Sequence, residues 1–377
     1  MRFWPGLVQT CRRAAWKAGL VADGNRSAVR HVERVLDTQG RTLFEQSGVP
    51  GLVVIVRFGE GREITRCFGR AGPSTPLRAD TVFPVLSISK PVTAFCAMAL
   101  VEQGFLDLDE PVWRRLRSFR LPAPRTGGFD PDGITLRRLL SHSAGLDPFE
   151  IGWSESPSIP SALELLAEGG AAGSTLRVVE PPGATLRYAG GGYVLVQLLI
   201  EDATGIPFPL VARERVLRPL GMLGSDYELP AELAARLATS HDAENATLPA
   251  RRLAATAASG LFSTAEDLAT FWAALAPGPA DEPPGRGVIS PGACREMLTP
   301  QATGADGTQC GLGFYLRNKH ADVRYTHLGY YAGWDHHVEG LLRRRVVVAA
   351  LSNGDRGKAC VRPLIHELRR TLYDQAL

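Results

Sequence analysis

The sequence predicts a mixed α/β fold of the α+β kind, on three observations. Strand-like patterns lie at both ends of the chain, over Leu52–Phe68 and again from Gly311 to Gly354. The stretch between them reads mostly as helix, broken by loops rich in Gly, Pro and Ser. The first strand pattern is followed by a long apolar segment, Thr81–Val101, which begins a buried helix.

In chain order, residues 1–26 are basic and Trp-containing, with no acidic residue before Asp23. They read as an accessory helix or frayed leader rather than a surface-binding arm. Val29, Val32, Val35 and Leu36 share helical spacing, which predicts a helix over 27–46. A hairpin follows, with strands Leu52–Phe58 and Glu63–Phe68 around a turn at Gly59–Gly61. Beyond Gly104 a mostly helical region begins, with a short helix at Ala162–Glu168 and an apolar one from Tyr193 to Ala203 that Gly205 stops. Ser263 and Glu266 form a capping box for a helix near Thr264. Three strands follow, over Gly311–Leu316, Val323–Gly340 and Arg343–Gly354, and a closing helix spans Cys360–Tyr373.

The segment Thr81–Val101 carries one charge, Lys90, three residues after Ser87. The chain has four lysines, so a scarce residue type occupies the one charged position of an apolar run. A lysine is almost never buried without a reason. Pro91 lacks a backbone N–H and fits only near a first turn, so the helix starts close to Ser87. Residues three apart on a helix share a face. Ser87 Oγ and Lys90 Nζ can therefore meet. Burial disfavours an ammonium, so the amine can take the serine's proton and arm a nucleophile. A membrane span of this length is at odds with the prolines, the lysine and the serines.

A net charge of +3 is too weak to argue for nucleic acid, so none is expected as a partner. Six cysteines lack metal-type spacing, and buried free thiols are their default reading. Arg12 and Arg13 interrupt any apolar core of a secretory signal, so the expectation is a reducing, cytoplasmic compartment without firm membrane association. His336 and His337 are adjacent on a strand and would face opposite sides, a poor chelating pair. No metal and no organic cofactor is implied. His142, flanked by serines in a turn, reads as a hydrogen bonder that fixes a loop rather than as a base. Tyr188 precedes a glycine-rich turn that leaves its phenol uncovered, where it could shuttle a proton or simply pack under the loop.

S-I-S-K at Ser87–Lys90, Y-A-G at Tyr188–Gly190 and H-L-G at His327–Gly329 stand in the order of three motifs of a known family. With L-L-S-H-S-A-G-L and S-G-L-F-S-T-A-E-D-L as flanks, the chain resembles the serine β-lactamase-like and penicillin-binding-protein-like enzymes. The likeness is strongest to the class C-related branch with its esterases, D-aminopeptidases and acyltransferases. It covers roughly 27–375. The resemblance implies an antiparallel sheet flanked by helices, with an inserted, mostly helical lobe. Residues 27–377 would then form one domain, with an α/β lobe over 27–105 and 259–377 and a helical lobe over 106–258. The site would lie between the lobes.

The resemblance also implies roles. Ser87 attacks an acyl carbon, Lys90 takes its proton directly or through Tyr188, and Tyr188 protonates the leaving group. The backbone N–H groups of Ser87 and Tyr330 would form the oxyanion hole. His327 stands where β-lactamases carry lysine and would offer a weaker, pH-dependent anchor for a substrate carboxylate. Gly190 stands where the family often has asparagine. Gly190, Gly329, Tyr331 and Trp334 would line the substrate site, with Tyr330, Tyr331 and Trp334 excluding water. The two departures argue against efficient β-lactam hydrolysis. They fit a hydrolase or transacylase that takes a small-molecule ester or activated acyl donor and passes the group to water, an alcohol or an amine. A D-amino-acid peptidase and a catalytically silent binding protein are the alternatives.

Overall fold

The computed structural model describes residues 23–121, 130–148, 153–154, 160–168, 176–250, 252–253, 255–319 and 321–374. Residues 1–22, most of the expected leader, lie outside the described residues. The chain enters as helix α1 (Asp23–Val35), passes through a π-helical turn over Leu36–Gly40 and continues as α2 (Arg41–Ser47). The helix expected over 27–46 thus begins earlier and is interrupted.

Among the described residues, nine strands form one antiparallel sheet. Its centre pairs β1 (Gly51–Phe58) with β2 (Glu63–Gly72) and with β13 (Val346–Ser352). Beyond β13 lie β12 (Trp334–Leu341), β11 (Asp322–Tyr331) and β10 (Tyr315–Lys319). Short strands β3 (Thr75–Pro76), β8 (Ala302–Thr303) and β9 (Gln309–Cys310) complete the edges, for the order β3-β2-β1-β13-β12-β11-β10-β9-β8. Outside this sheet β4 (Phe83–Pro84) pairs with β7 (Phe262–Ser263) and β5 (Trp153–Ser154) with β6 (Arg252–Leu253), and helix α11 (Pro291–Met297) precedes β8. β1 is apolar on both faces because both are covered. Leu52, Val54 and Val56 meet α1 and the closing helix α12 (Lys358–Asp374). Val53 and Ile55 face the core that holds α3 (Ser89–Glu102) and α10 (Ala265–Ala274). There Phe95 of α3 and Phe271 of α10 pack edge to face, 5.3 Å between ring centroids. Burying a phenylalanine side chain contributes about 1.5–3 kcal/mol.

Three details differ from the sequence reading. Val323–Gly340 is a hairpin of two strands, not one, closed by Ala332-Gly333 with Gly333 at φ 84°. Ala-Gly lacks the usual Asn-Gly or Asp-Gly hairpin signal, and the left-handed glycine alone provides the turn. The α10 cap is Thr264, whose side chain accepts from Asp267 N, one residue on from the expected Ser263–Glu266 box. Ser263 Oγ instead bonds Ser225 Oγ at 2.7 Å. Cys96, Cys294, Cys310 and Cys360 are buried free thiols, whereas Cys67 is exposed.

Between α3 and α10 the chain is helical and irregular. It includes α4 (Leu136–Leu140), α5 (Ala162–Glu168), the buried α6 (Gly190–Thr204), α7 (Phe208–Ala212), α8 (Ala231–Ala234) and α9 (Thr256–Ser259). The α5 and α6 spans follow the sequence reading closely. Among the described residues no single helix is long and apolar enough to cross a membrane.

Candidate active site

Ser87 sits in a 3-10 turn, Leu86–Ile88, that feeds directly into α3. Leu86 adopts φ 56°, a left-handed backbone that costs a non-glycine residue roughly 1–2 kcal/mol. The surroundings enforce it. Val85 N donates to Leu261 O at 2.9 Å, Leu261 N donates to Ser89 Oγ at 3.0 Å, and Ser89 Oγ donates to Leu86 O at 2.6 Å. Pro91 is the third residue of α3, where its missing N–H leaves no gap in the helix.

One turn after Ser87, Lys90 is 1% exposed. Its Nζ donates to Ser87 Oγ at 3.2 Å and to the carbonyl of Ala258, in α9, at 2.9 Å. The rings of Tyr188 and Tyr193 lie 5.0 and 5.6 Å from the same nitrogen. Tyr188 Oη donates to Ser87 Oγ at 2.8 Å. Ser87 and Tyr188 are both half-buried, so the hydroxyl stands at the edge of solvent with two proton-carrying groups on it. This geometry permits a proton to leave Ser87 by either route.

β11 closes the other side. His327 is buried, and its Nδ1–H donates to Leu328 O at 2.9 Å. Burial first, then the nearby Lys90, holds the His327 pKa down to about 3. The ring is therefore uncharged throughout the neutral range before a substrate binds. Gly329 passes against the Ser87 turn so closely that a Cβ on it would overlap the Val85 carbonyl. Tyr330, whose N–H is the expected second oxyanion donor, is the next residue along the strand. The Tyr330 and Tyr331 side chains are exposed. Trp334 differs from expectation. It is 5% exposed and packs against Phe83 and His336, so it braces the hairpin from within and is not an exposed wall of the cleft. Gly190 is buried as the first residue of α6, two positions after Tyr188. His336 and His337 point to different partners, Pro84 O at 3.1 Å and Thr326 Oγ1 at 3.1 Å.

Two participants were not singled out as site residues. The carbonyl of Ala258 holds Lys90, and no side-chain pattern marks it. His142 lies against the tyrosine: its ring centroid is 4.4 Å from that of Tyr188, and its Nδ1 accepts from Ala189 N at 3.3 Å. The expected loop-fixing role fits this contact. The histidine in a serine-flanked turn was the available signal; its pairing with Tyr188 is tertiary.

Lysine and tyrosine thus converge on one serine beside an antiparallel sheet, an arrangement that can arm a hydroxyl as a nucleophile. The Beta-lactamase family model matches residues 29–370, and the chain belongs to that family of serine hydrolases. It is 31% identical over 265 residues to Protein Rv1367c of Mycobacterium tuberculosis, covering 63% of this chain and 64% of that one. It is 30% identical over 237 residues to monacolin J acid methylbutanoyltransferase of Aspergillus terreus, covering 55% of each. It is 26% identical over 243 residues to the D-alanyl-D-alanine-carboxypeptidase/endopeptidase AmpH of Escherichia coli, covering 62% of this chain and 59% of that one. These alignments thus span between about half and two thirds of the relatives' lengths. Among solved structures, EstCE1, described as a hydrolase with promiscuous acyltransferase activity, superposes with a TM-score of 0.72 at 21% identity, over 93% of this chain and all of that one.

Proposed function

We propose that the protein is a serine hydrolase or transacylase that works through an acyl-Ser87 intermediate on an ester or activated acyl donor. The observation that carries this reading is the position of Ser87 Oγ, within hydrogen-bond reach of both Lys90 Nζ and Tyr188 Oη. In the first half-reaction Ser87 Oγ bonds to the acyl carbon and its proton passes to Lys90, directly or through Tyr188. The bond to the leaving group breaks, and Tyr188 returns a proton to the departing oxygen. Water, an alcohol or an amine then attacks the acyl-enzyme, and the same groups carry the proton the other way. The backbone N–H groups of Ser87 and Tyr330 would hold the oxyanion, each such donor lowering the barrier by about 3 kcal/mol.

An ester or activated acyl group is favoured over a D-amino acid carboxylate because His327, at the third motif, is uncharged. A neutral imidazole offers a carboxylate no ion pair. The names of two relatives, the methylbutanoyltransferase and esterase EstB of Burkholderia gladioli, agree with acyl transfer and ester cleavage. The intact geometry of Ser87, Lys90 and Tyr188 weighs against a silent scaffold.

A fluorophosphonate probe read by intact mass tests the reading. One adduct on Ser87, absent in Ser87→Ala, is expected. A folded protein that takes no adduct, or that cleaves p-nitrophenyl esters equally well as Ser87→Ala, overturns it. Product analysis with added alcohol or amine acceptors then separates transacylase from hydrolase.

A further inference from the structure

His142 carries two local costs beside the candidate nucleophile. Its backbone is left-handed, φ 56°, although the residue is not glycine. Its Nε2 is buried with no hydrogen-bond partner among the described residues. An unsatisfied buried polar group costs about 1–3 kcal/mol. Strain and orphaned donors of this kind gather at functional sites, where the surroundings over-determine them.

What His142 touches gives the reason. Ala189 N–H points at Nδ1, so a neutral ring carries its proton on Nε2 and is fixed in one tautomer. Arg187 N donates to His142 O at 2.7 Å. His142 therefore grips the chain on both sides of Tyr188, at residues 187 and 189, while its ring covers the phenol ring at 4.4 Å. Tyr193, from α6, packs on the imidazole at 5.3 Å and donates its hydroxyl to Leu140 O at 2.9 Å. The Tyr188 side chain is thus set from one direction by His142 and reaches Ser87 in the other.

We propose that His142 is a positioning residue for proton transfer, holding the Tyr188 phenol on Ser87 Oγ by clamping the backbone on either side of it and backing its ring. The proposal rests on the acyl-Ser87 reading and deepens it. Burial above all keeps the imidazole uncharged, so it offers Tyr188 a rigid ring face and no competing charge. The residue does not touch Ser87 and acts only through the tyrosine.

The test is a double-mutant cycle between His142 and Tyr188, read as the single-turnover rate of Ser87 acylation by a p-nitrophenyl ester. His142→Asn keeps an acceptor near the Nδ1 position and tolerates a left-handed backbone, so it should fold. It removes the ring behind Tyr188. Acylation is expected to slow by about tenfold, with little change in KM, and His142→Ala, which also loses the side-chain acceptor for Ala189 N, to slow by about a hundredfold. In a Tyr188→Phe background, where no phenol remains to be placed, neither change should slow the reaction further. Acylation by His142→Asn at the wild-type rate, or a loss that persists undiminished in Tyr188→Phe, overturns the proposal. The ring-carbon NMR shift of Tyr188 supplies a readout independent of turnover. If wild-type Ser87 takes no acyl group, the functional reading fails; a Tyr188 resonance unmoved by His142→Asn is what defeats the positioning role.

Discussion

The amine of Lys90 is moored on the carbonyl oxygen of Ala258, 2.9 Å away, while it reaches Ser87 Oγ at 3.2 Å. A carbonyl can only accept, so it orients an N–H toward itself and leaves the rest of the nitrogen to face the serine. Lys90→Met nearly preserves volume and removes the nitrogen. It also leaves Ala258 O unsatisfied, for a loss of about 1–3 kcal/mol of stability. Acylation by a fluorophosphonate should fall by about 10²–10⁴, the usual range for a lost proton-transfer group. Thermal melting beside the labelling rate separates the two effects, and undiminished labelling would deny Lys90 its role.

Gly329 holds β11 against the Ser87 turn. A methyl group there would overlap Val85 O, which belongs to backbone and cannot rotate away. Gly329→Ala should therefore push β11 off the turn, costing about 1–3 kcal/mol by overpacking. Displacing the Tyr330 N–H by about 1 Å should lower kcat of ester turnover by about 10²-fold, more than it changes KM. Steady-state kinetics on a folded variant decide this, and an unchanged kcat would show that the strand does not set the site.

Much of this was legible in the sequence where one residue answered to its near neighbours. Ser87, Lys90 and Pro91 lie within five residues, and helix geometry alone brings the serine and the lysine together. The strands β1 and β13 announced themselves because both faces are apolar. What stayed hidden depended on contacts between distant segments. Ala258 contributes a carbonyl, which any residue has. Trp334 lies close in sequence to Tyr331, yet it packs against Phe83 and His336 and is buried while Tyr331 remains exposed. The hairpin between them was unreadable because Ala332 is no turn former.

The His327 ring gives a prediction about pH. With its pKa held down to about 3, it does not titrate where the enzyme would be assayed. The pH profile of kcat/KM for an uncharged ester should show no limb from this residue between about pH 5 and 8, although free histidine titrates near 6.5. His327→Gln, uncharged and able to hydrogen-bond, should keep the shape of the profile even if its height falls. A limb near pH 6 that disappears in His327→Gln would show that the imidazole gains charge in the working range and would reopen the carboxylate-anchor reading.

Glu339 anchors the far face of the same sheet. It is 1% exposed, and Arg369 clamps it through two hydrogen bonds at 2.9 and 2.7 Å, with His337 at 3.2 Å. Burial raises its pKa, but the bonds from His337 and Arg369 outweigh that and hold it at about 2. The folded value lies below the unfolded one, near 4.3, so the folded chain binds fewer protons between them. The ion pair's contribution is complete above about pH 5 and lost as pH falls toward 2, a few kcal/mol in all. Melting temperature should drop steeply across that window. Glu339→Gln should flatten the drop and, by leaving Arg369 and the nearby Arg324 without their carboxylate, cost about 3–5 kcal/mol at pH 7. Melting curves for both proteins from pH 2 to 8 measure this, and parallel curves would show that the carboxylate does not control acid stability.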